Sequence, residues 1–322
     1  MQETNLIPLE TLPLELGVIA SQAEGYLHQA KAPNTLKAYR SDWKDFEAWC
    51  QAHGQAALPA APETVALYLS DLANRCKTST LHRRISAISQ AHQAAGLEPP
   101  TRSALVKNLW SGIRRAKGTA QEGKEPLLTQ DIRVMIGAIR KGTLKSRRDR
   151  ALLLLGFAGA FRRSELVSLD YEDLRFTREG LTVTLRRSKT DQEGEGRKVG
   201  IPYGSFPDTC PVRATEDWLK EAAISYGPLF RPINRHGQVK GNRLTDQSVA
   251  LIVKGAAEAA GLDPTRFSGH SLRAGLATQA AMAGVNERAI MAQTGHRSPM
   301  MVRRYIREGS LFRENAAGSL GL

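Results

Sequence analysis

The chain has 322 residues, long for one core and ample for two, with 41% apolar and 24% charged side chains. Its 45 Lys and Arg against 32 Asp and Glu leave a net charge of +13, which points to a polyanionic partner, because each phosphate neutralised by Lys or Arg releases condensed counterions. Three scattered cysteines (Cys50, Cys76, Cys210) argue against a disulfide framework, and the longest apolar run, ALLLLGFAGAF at 151–161, is too short to span a bilayer.

The N-terminal MQETNLIPLETLPLELG lacks the basic-then-apolar order of a secretory signal, so a cytoplasmic protein with no membrane partner is expected. Charge alone also fits a ribosome-associated or acidic-lipid-binding protein. A first helix is expected at 14–31. In TLKAYRSDWKDFEAWCQAHG at 35–54, Leu36, Tyr39, Trp43, Phe46 and Trp49 recur at threes and fours, as one buried helix face demands. PETVALYLSDLANRC, STLHRRISAISQAHQAAG and RSALVKNLWSGIRRAKG repeat the pattern, which makes residues 1–116 a small helical domain. The polar, Gly-containing KGTAQEGKEPLL reads as a linker over 117–127. A second, mostly helical domain is expected over 128–308. It opens on LTQDIRVMIGAIRKG with Thr129 as N-cap and continues with the buried helix of SRRDRALLLLGFAGAF. LRFT, GLTVTLRRSKT and GRKVGIPY alternate as short strands of one small antiparallel sheet, and helices return from Cys210 onward.

Five strings in the second half carry chemistry: FRRSEL at 161–166, RRSKTD at 186–191, GHSLRAG at 269–275, TGHRSP at 294–299 and MVRRYIREG at 301–309. They supply Arg162, Lys189, His270, Arg273, His296 and Tyr305, a set suited to attack by a phenol on a phosphodiester. Such a reaction needs cations for the nonbridging oxygens, a base for the nucleophile and an acid for the leaving oxygen. Arginine meets the first need with a planar, permanently charged fork. His270 and Arg273 lie three apart at an expected helix start, where Ser271 can help to cap, so both project from one face. Arg163 follows Arg162 directly and on a helix would point roughly 100° away. Any one of these residues alone would be a surface ion pair, a cap or a packing ring. His270 and His296 lack a third ligand at metal-like spacing. GHSLRAG lacks the G-x-S-x-G of a nucleophile elbow.

Taken in order and spacing, the set resembles the tyrosine recombinase (integrase) family of the Cre, lambda integrase and Xer proteins. The resemblance implies a mainly α fold, with a helical core-binding domain before a mostly helical catalytic domain that carries a small antiparallel sheet. It makes Arg162, as the first letter of R-x-S-E-L, and Arg273 the phosphate-binding arginines, and Tyr305 the nucleophile that forms a 3′-phosphotyrosine. Lys189, on a β-hairpin, becomes the acid for the 5′-oxygen; His270 assists proton transfer at the tyrosine, and His296 hydrogen-bonds the scissile phosphate. Glu165 and Asp170 are candidates for orienting the arginines. No metal, nucleotide or other cofactor is implied. The implied partner is a duplex recombination site, bound by a homotetramer assembled from monomers or weak dimers through a Holliday junction, with room for an accessory or partner recombinase. The tail at 309–322, with Leu311 and Phe312, would dock in trans.

Candidate DNA contacts are Lys37, Arg40 and Lys44 on the polar side of the 35–54 helix, Arg83 and Arg84, Arg114 and Arg115, Arg243, and Gln247 as an adenine reader. Integration, excision, cointegrate resolution and chromosome-dimer resolution all remain open. So do a type IB topoisomerase, which reseals in cis, and a DNA-binding regulator that does not cleave.

Overall fold

The computed structural model describes residues 32–118, 123–140, 142–186 and 196–309, together with residue 320. The expected helix at 14–31, the Lys189 hairpin tip and the Leu311–Phe312 knob lie outside these residues. The chain gathers into two compact units, with the division between Glu122 and Gly123.

Among its described residues the first unit has four α-helices: α1 (Pro33–Ala52), α2 (Pro62–Ala73), α3 (Thr78–Ala94) and α4 (Ala104–Lys117). Pro occupies the first turn of α1 and α2, where its missing N–H costs nothing. Ser103 caps α4 by accepting from Val106 N. Trp43, Phe46, Tyr68, Leu69, Leu81 and Ile88 form the core. The buried His92 ring ties α3 to the α1–α2 connection: Nε2 accepts from Ala60 N at 2.9 Å, while Nδ1 donates to Ile88 O at 2.9 Å.

The second unit surrounds α6 (Leu144–Ala158), whose Ala151–Leu155 stretch is buried all round, as an apolar run without a polar face must be. Against it pack α5 (Thr129–Ala138), the short α7 (Arg163–Ser168), α8 (Pro211–Glu221), α9 (Asp246–Ala259) and α10 (Gly269–Met282). Three antiparallel strands follow one another in the sheet: β1 (Leu174–Phe176), β2 (Gly180–Leu185) and β3 (Arg197–Pro202). β2 and β3 run in register from Gly180↔Pro202 to Leu185↔Arg197. Two further helices, α11 (Glu287–Thr294) and α12 (Pro299–Gly309), close on α10 around a small cluster of Ala274, Ala277, Ala281, Ile290, Val302 and Tyr305.

Two local expectations differ from what is observed. Thr129 is the first helical residue of α5 rather than its cap; Asp131 supplies the capping carboxylate by accepting from Leu128 N at 2.8 Å. The expected linker also ends early, because residues 123–127 belong to the second unit. Glu125 N donates to Arg266 O and Leu127 N to Ser271 O, both at 3.0 Å, and Leu127 is fully buried. A polar, Gly- and Pro-bearing stretch reads as a spacer whether or not its backbone finds partners far along the chain.

Gly275 makes this docking possible: a Cβ there would stand 1.9 Å from Leu127 O. Gly275→Ala is therefore expected to destabilise the second unit by about 1–3 kcal/mol, toward the upper end because the obstacle is backbone. Denaturant unfolding of the full chain, with Gly255→Ala as an unobstructed control on α9, measures this; equal stabilities would refute it.

Candidate active site

Local sequence explains how each reactive side chain is presented. Ser268 caps α10, its Oγ accepting from His270 N at 3.2 Å, and Ser271 Oγ returns the bond by accepting from Ser268 N at 3.0 Å. His270 and Arg273 thus sit on a rigid first turn. Gly295 ends α11 in the left-handed region at φ 66°, and the chain turns sharply there to present His296. Arg162 is not a helical residue: it is the N-cap of α7, with extended backbone at ψ 153°. That backbone break, rather than helical rotation, separates it from Arg163, whose guanidinium lies 4.0 Å from Asp246.

Four of the expected residues meet directly. His270 Nε2 lies 3.0 Å from Tyr305 Oη. Arg273, 1% exposed, donates from Nη1 to Ala160 O at 2.8 Å and from Nη2 to His296 Nε2 at 3.0 Å. Because a guanidinium can only donate, His296 Nε2 is an acceptor here and its proton sits on Nδ1, which faces Thr294 Oγ1 at 2.8 Å. Thr294 Oγ1 in turn donates to Ile290 O at 2.7 Å. Arg162 is held by Glu165, which is almost fully buried; the carboxylate takes Arg162 N at 2.9 Å and pairs with the guanidinium. Asp170 orients Arg243 (2.6 Å), not the two arginines of the site.

Burial and neighbouring arginines set the proton affinities of the site. Burial, reinforced by Arg273 and Arg162, pushes His296 down to about 3 and holds His270 below its ordinary 6.5. Burial and the neighbouring Arg162 push Arg273 down to about 10, so it stays charged at neutral pH. Two imidazoles of lowered proton affinity and a phenol thus stand beside clustered guanidiniums, with Tyr305 Oη within hydrogen-bond reach of His270.

The expected DNA contacts divide. Lys37, Arg40, Lys44, Arg114, Arg115 and Gln247 are exposed. Arg83 forks onto the buried Asp42 at 2.6 and 3.0 Å, Arg84 is held by Asp45 and Tyr68, and Arg243 donates to Val167 O, Leu169 O and Asp170. These three also hold acceptors from distant parts of the chain, which a basic cluster in sequence does not reveal, and Arg83 keeps an exposed side chain while doing so. Arg197 escaped the sequence reading altogether. It is 22% exposed, and its guanidinium donates to Ala292 O, Gln293 O and Thr294 O, at 3.3, 3.0 and 3.4 Å.

Residues 126–310 match the phage integrase family, and residues 24–98 match the phage integrase N-terminal SAM-like domain. The chain belongs to the phage integrase family. This tyrosine recombinase is 47% identical over 301 residues to an integrase/recombinase xerD homolog of Selenomonas ruminantium, covering 92% of this chain and 88% of that one. It is 25% identical to the recombinase Cre of Escherichia phage P1, over 87% of this chain and 85% of Cre. Among solved structures, the recombinase shares its fold with the XerH site-specific recombinase bound to palindromic difH in a post-cleavage complex. The TM-score is 0.61 at 18% identity, over 81% of this chain and 72% of XerH. A lambda integrase dimer on a COC′ core site gives a TM-score of 0.56 at 17% identity, over 89% of this chain and 93% of that one. The expected mainly helical fold with a small antiparallel sheet, and the expected family, are both borne out.

Proposed function

We propose that this recombinase exchanges strands between two duplex sites through a 3′-phosphotyrosine formed by Tyr305. The observation that carries the reading is the 3.0 Å approach of His270 Nε2 to Tyr305 Oη beside the buried Arg273–His296 pair. In the proposed step Tyr305 Oη gives its proton to His270 and attacks phosphorus. The bond from phosphorus to the 5′-oxygen breaks as the bond to the phenol oxygen forms. Arg162, Arg273 and His296 surround the nonbridging oxygens, where preorganised donors supply the largest part of the rate. The departing 5′-oxygen takes a proton, a task assigned to Lys189, which lies outside the described residues. One ester replaces another, so the energy of the phosphodiester is kept and a 5′-hydroxyl from a second duplex can reverse the step.

The +13 charge supports duplex DNA as the partner. Lys37, Arg40, Lys44, Arg114 and Arg115 are assigned to phosphates and Gln247 to a base edge. Four protomers on two duplexes, with the 309–322 tail passing to a neighbour, would complete the exchange for a mobile element or for chromosome-dimer resolution. The experiment mixes two differently labelled duplexes from DNA flanking the gene with the full chain. Recombinant strands and a four-way junction are expected. Relaxation of a supercoiled plasmid with no product joining the two labels would replace this reading with resealing in cis.

The proton route fixes a pH dependence. His270 must be neutral to accept from Tyr305, and its proton affinity is depressed below 6.5 by burial and by Arg273. The neutral form therefore persists as pH falls through 6.5 and is lost only below it. Initial rates of covalent adduct formation at subsaturating DNA report the free enzyme and should show an acid limb centred below 6.5. A limb centred above that value would assign the titration to another group.

A further inference from the structure

Arg197 opens β3 opposite Leu185, at the root of the hairpin between β2 and β3. Its guanidinium covers the carbonyls of Ala292, Gln293 and Thr294, the end of α11, where a helix leaves its C=O groups without intrahelical donors. A cation at that end also faces the negative pole of the helix. Such a cap ordinarily comes from the last turn of the helix itself. Here it is supplied from a strand about a hundred residues earlier.

Two further contacts go beyond capping. Arg197 Nη2 lies 4.0 Å from Glu165 Oε2, the carboxylate that holds both the backbone and the guanidinium of Arg162. On its other side, Thr294 combines a carbonyl on Arg197 with a hydroxyl on His296 Nδ1. Gly295 is pressed against the same group: a Cβ there would stand 2.6 Å from Arg197 Nε. The guanidinium thus joins the residue that orients Arg162 to the residues that orient His296. Simple docking of α11 on the sheet has its own device, because Gln293 Nε2 donates to Ala158 O at 2.7 Å and to Gly200 O at 3.3 Å.

We infer that Arg197 is a positioning residue for strand cleavage, setting the spacing between Arg162, through Glu165, and His296, through Thr294 and Gly295, without touching the reacting atoms. The inference rests on the reading of Arg162 and His296 as groups that bind the scissile phosphate. Burial draws the Arg197 charge down from its ordinary range while Glu165 opposes that shift, as expected of a guanidinium enclosed beside a carboxylate. A misplacement of about 1 Å in such a group costs on the order of a hundredfold in rate.

The test uses the full chain and two readouts. In the DNA-free protein, long-range imidazole 15N spectra, with His296→Ala identifying the His296 signals, should show one His296 tautomer protonated on Nδ1. Arg197→Met should shift or broaden those signals, Arg197→Lys should do so less, and Gln293→Ala should leave them in place. Unchanged His296 signals in a folded Arg197→Met overturn the inference without touching the proposed function. The second readout is single-turnover cleavage of a nicked duplex spanning the site that gives the Tyr305-dependent adduct. Arg197→Met is expected to be about tenfold to a hundredfold slower and to lose most of that effect in a His296→Ala background. Full additivity there overturns it. If His296→Ala alone cleaves at the normal rate, the phosphate-binding reading of His296 fails, and the inference falls with it. Should Arg197→Met not fold, Arg197→Lys carries both readouts, because it retains the charge but not the fork.

Discussion

Tyr305→Phe is expected to lower covalent protein–DNA adduct formation by more than about 10³-fold while leaving the protein folded and able to bind DNA. Only the hydroxyl is lost. The ring stays among Ala274, Ala277, Ala281, Ile290 and Val302, and losing the bond with His270 costs about 1 kcal/mol. The measurement incubates wild type and variant in EDTA with nicked duplex fragments from the gene's flanks and resolves them on a denaturing gel. Tyr203→Phe is the control, since that hydroxyl is solvent-facing and its nearest acceptor is Glu216 at 3.4 Å. An adduct that survives Tyr305→Phe and disappears with Tyr203→Phe would overturn the assignment. A wild-type adduct that forms only without EDTA would bring a metal ion into the chemistry.

Arg273→Lys should cost about 10²–10³-fold in the single-turnover cleavage rate, with a much smaller change in affinity for the same nicked duplex. The fork makes two fixed donations, to Ala160 O and His296 Nε2, and a lysine amine is a single point on a shorter reach. The charge survives the substitution but its geometry does not. Affinity should hold because duplex binding is spread over many phosphates, of which this is one. Cleavage within a few-fold of wild type would show that charge alone suffices at this position. A large parallel loss of affinity would recast Arg273 as a binding residue.

His270, Arg273, His296 and Tyr305, which the structure brings together, stood out in the sequence because each carries its chemistry in its own side chain and sits in a short string. The glycines of two of those strings now have physical reasons. Gly275 lets Leu127 pass, and Gly295 supplies a left-handed turn beside Arg197. What escaped was long-range. Arg197 in GRKVGIPY looks like one more exposed hairpin cation, and nothing nearby announces the carbonyls of Ala292–Thr294. Arg84 and Arg243 read as surface charge because Asp45 and Asp170 lie 39 and 73 residues away. Residues 123–127 read as a spacer because backbone pairing with Arg266 and Ser271 leaves no trace in composition. Periodicity and motif report what a residue does locally; they are silent on where a buried charge finds its counterpart.

The hydroxyl of Thr294 gives the hydrogen atoms around His296 a reversible direction. They run from Arg273 to His296 Nε2, from His296 Nδ1 to Thr294, and from Thr294 to Ile290 O. An anionic oxygen drawing off the Arg273 donor needs a hydrogen from Nε2 instead. A threonine hydroxyl can turn and donate toward Nδ1, so the imidazole exchanges tautomers without gaining charge. Thr294→Val would keep the shape of the side chain and remove this freedom, leaving the imidazole fixed in one tautomer.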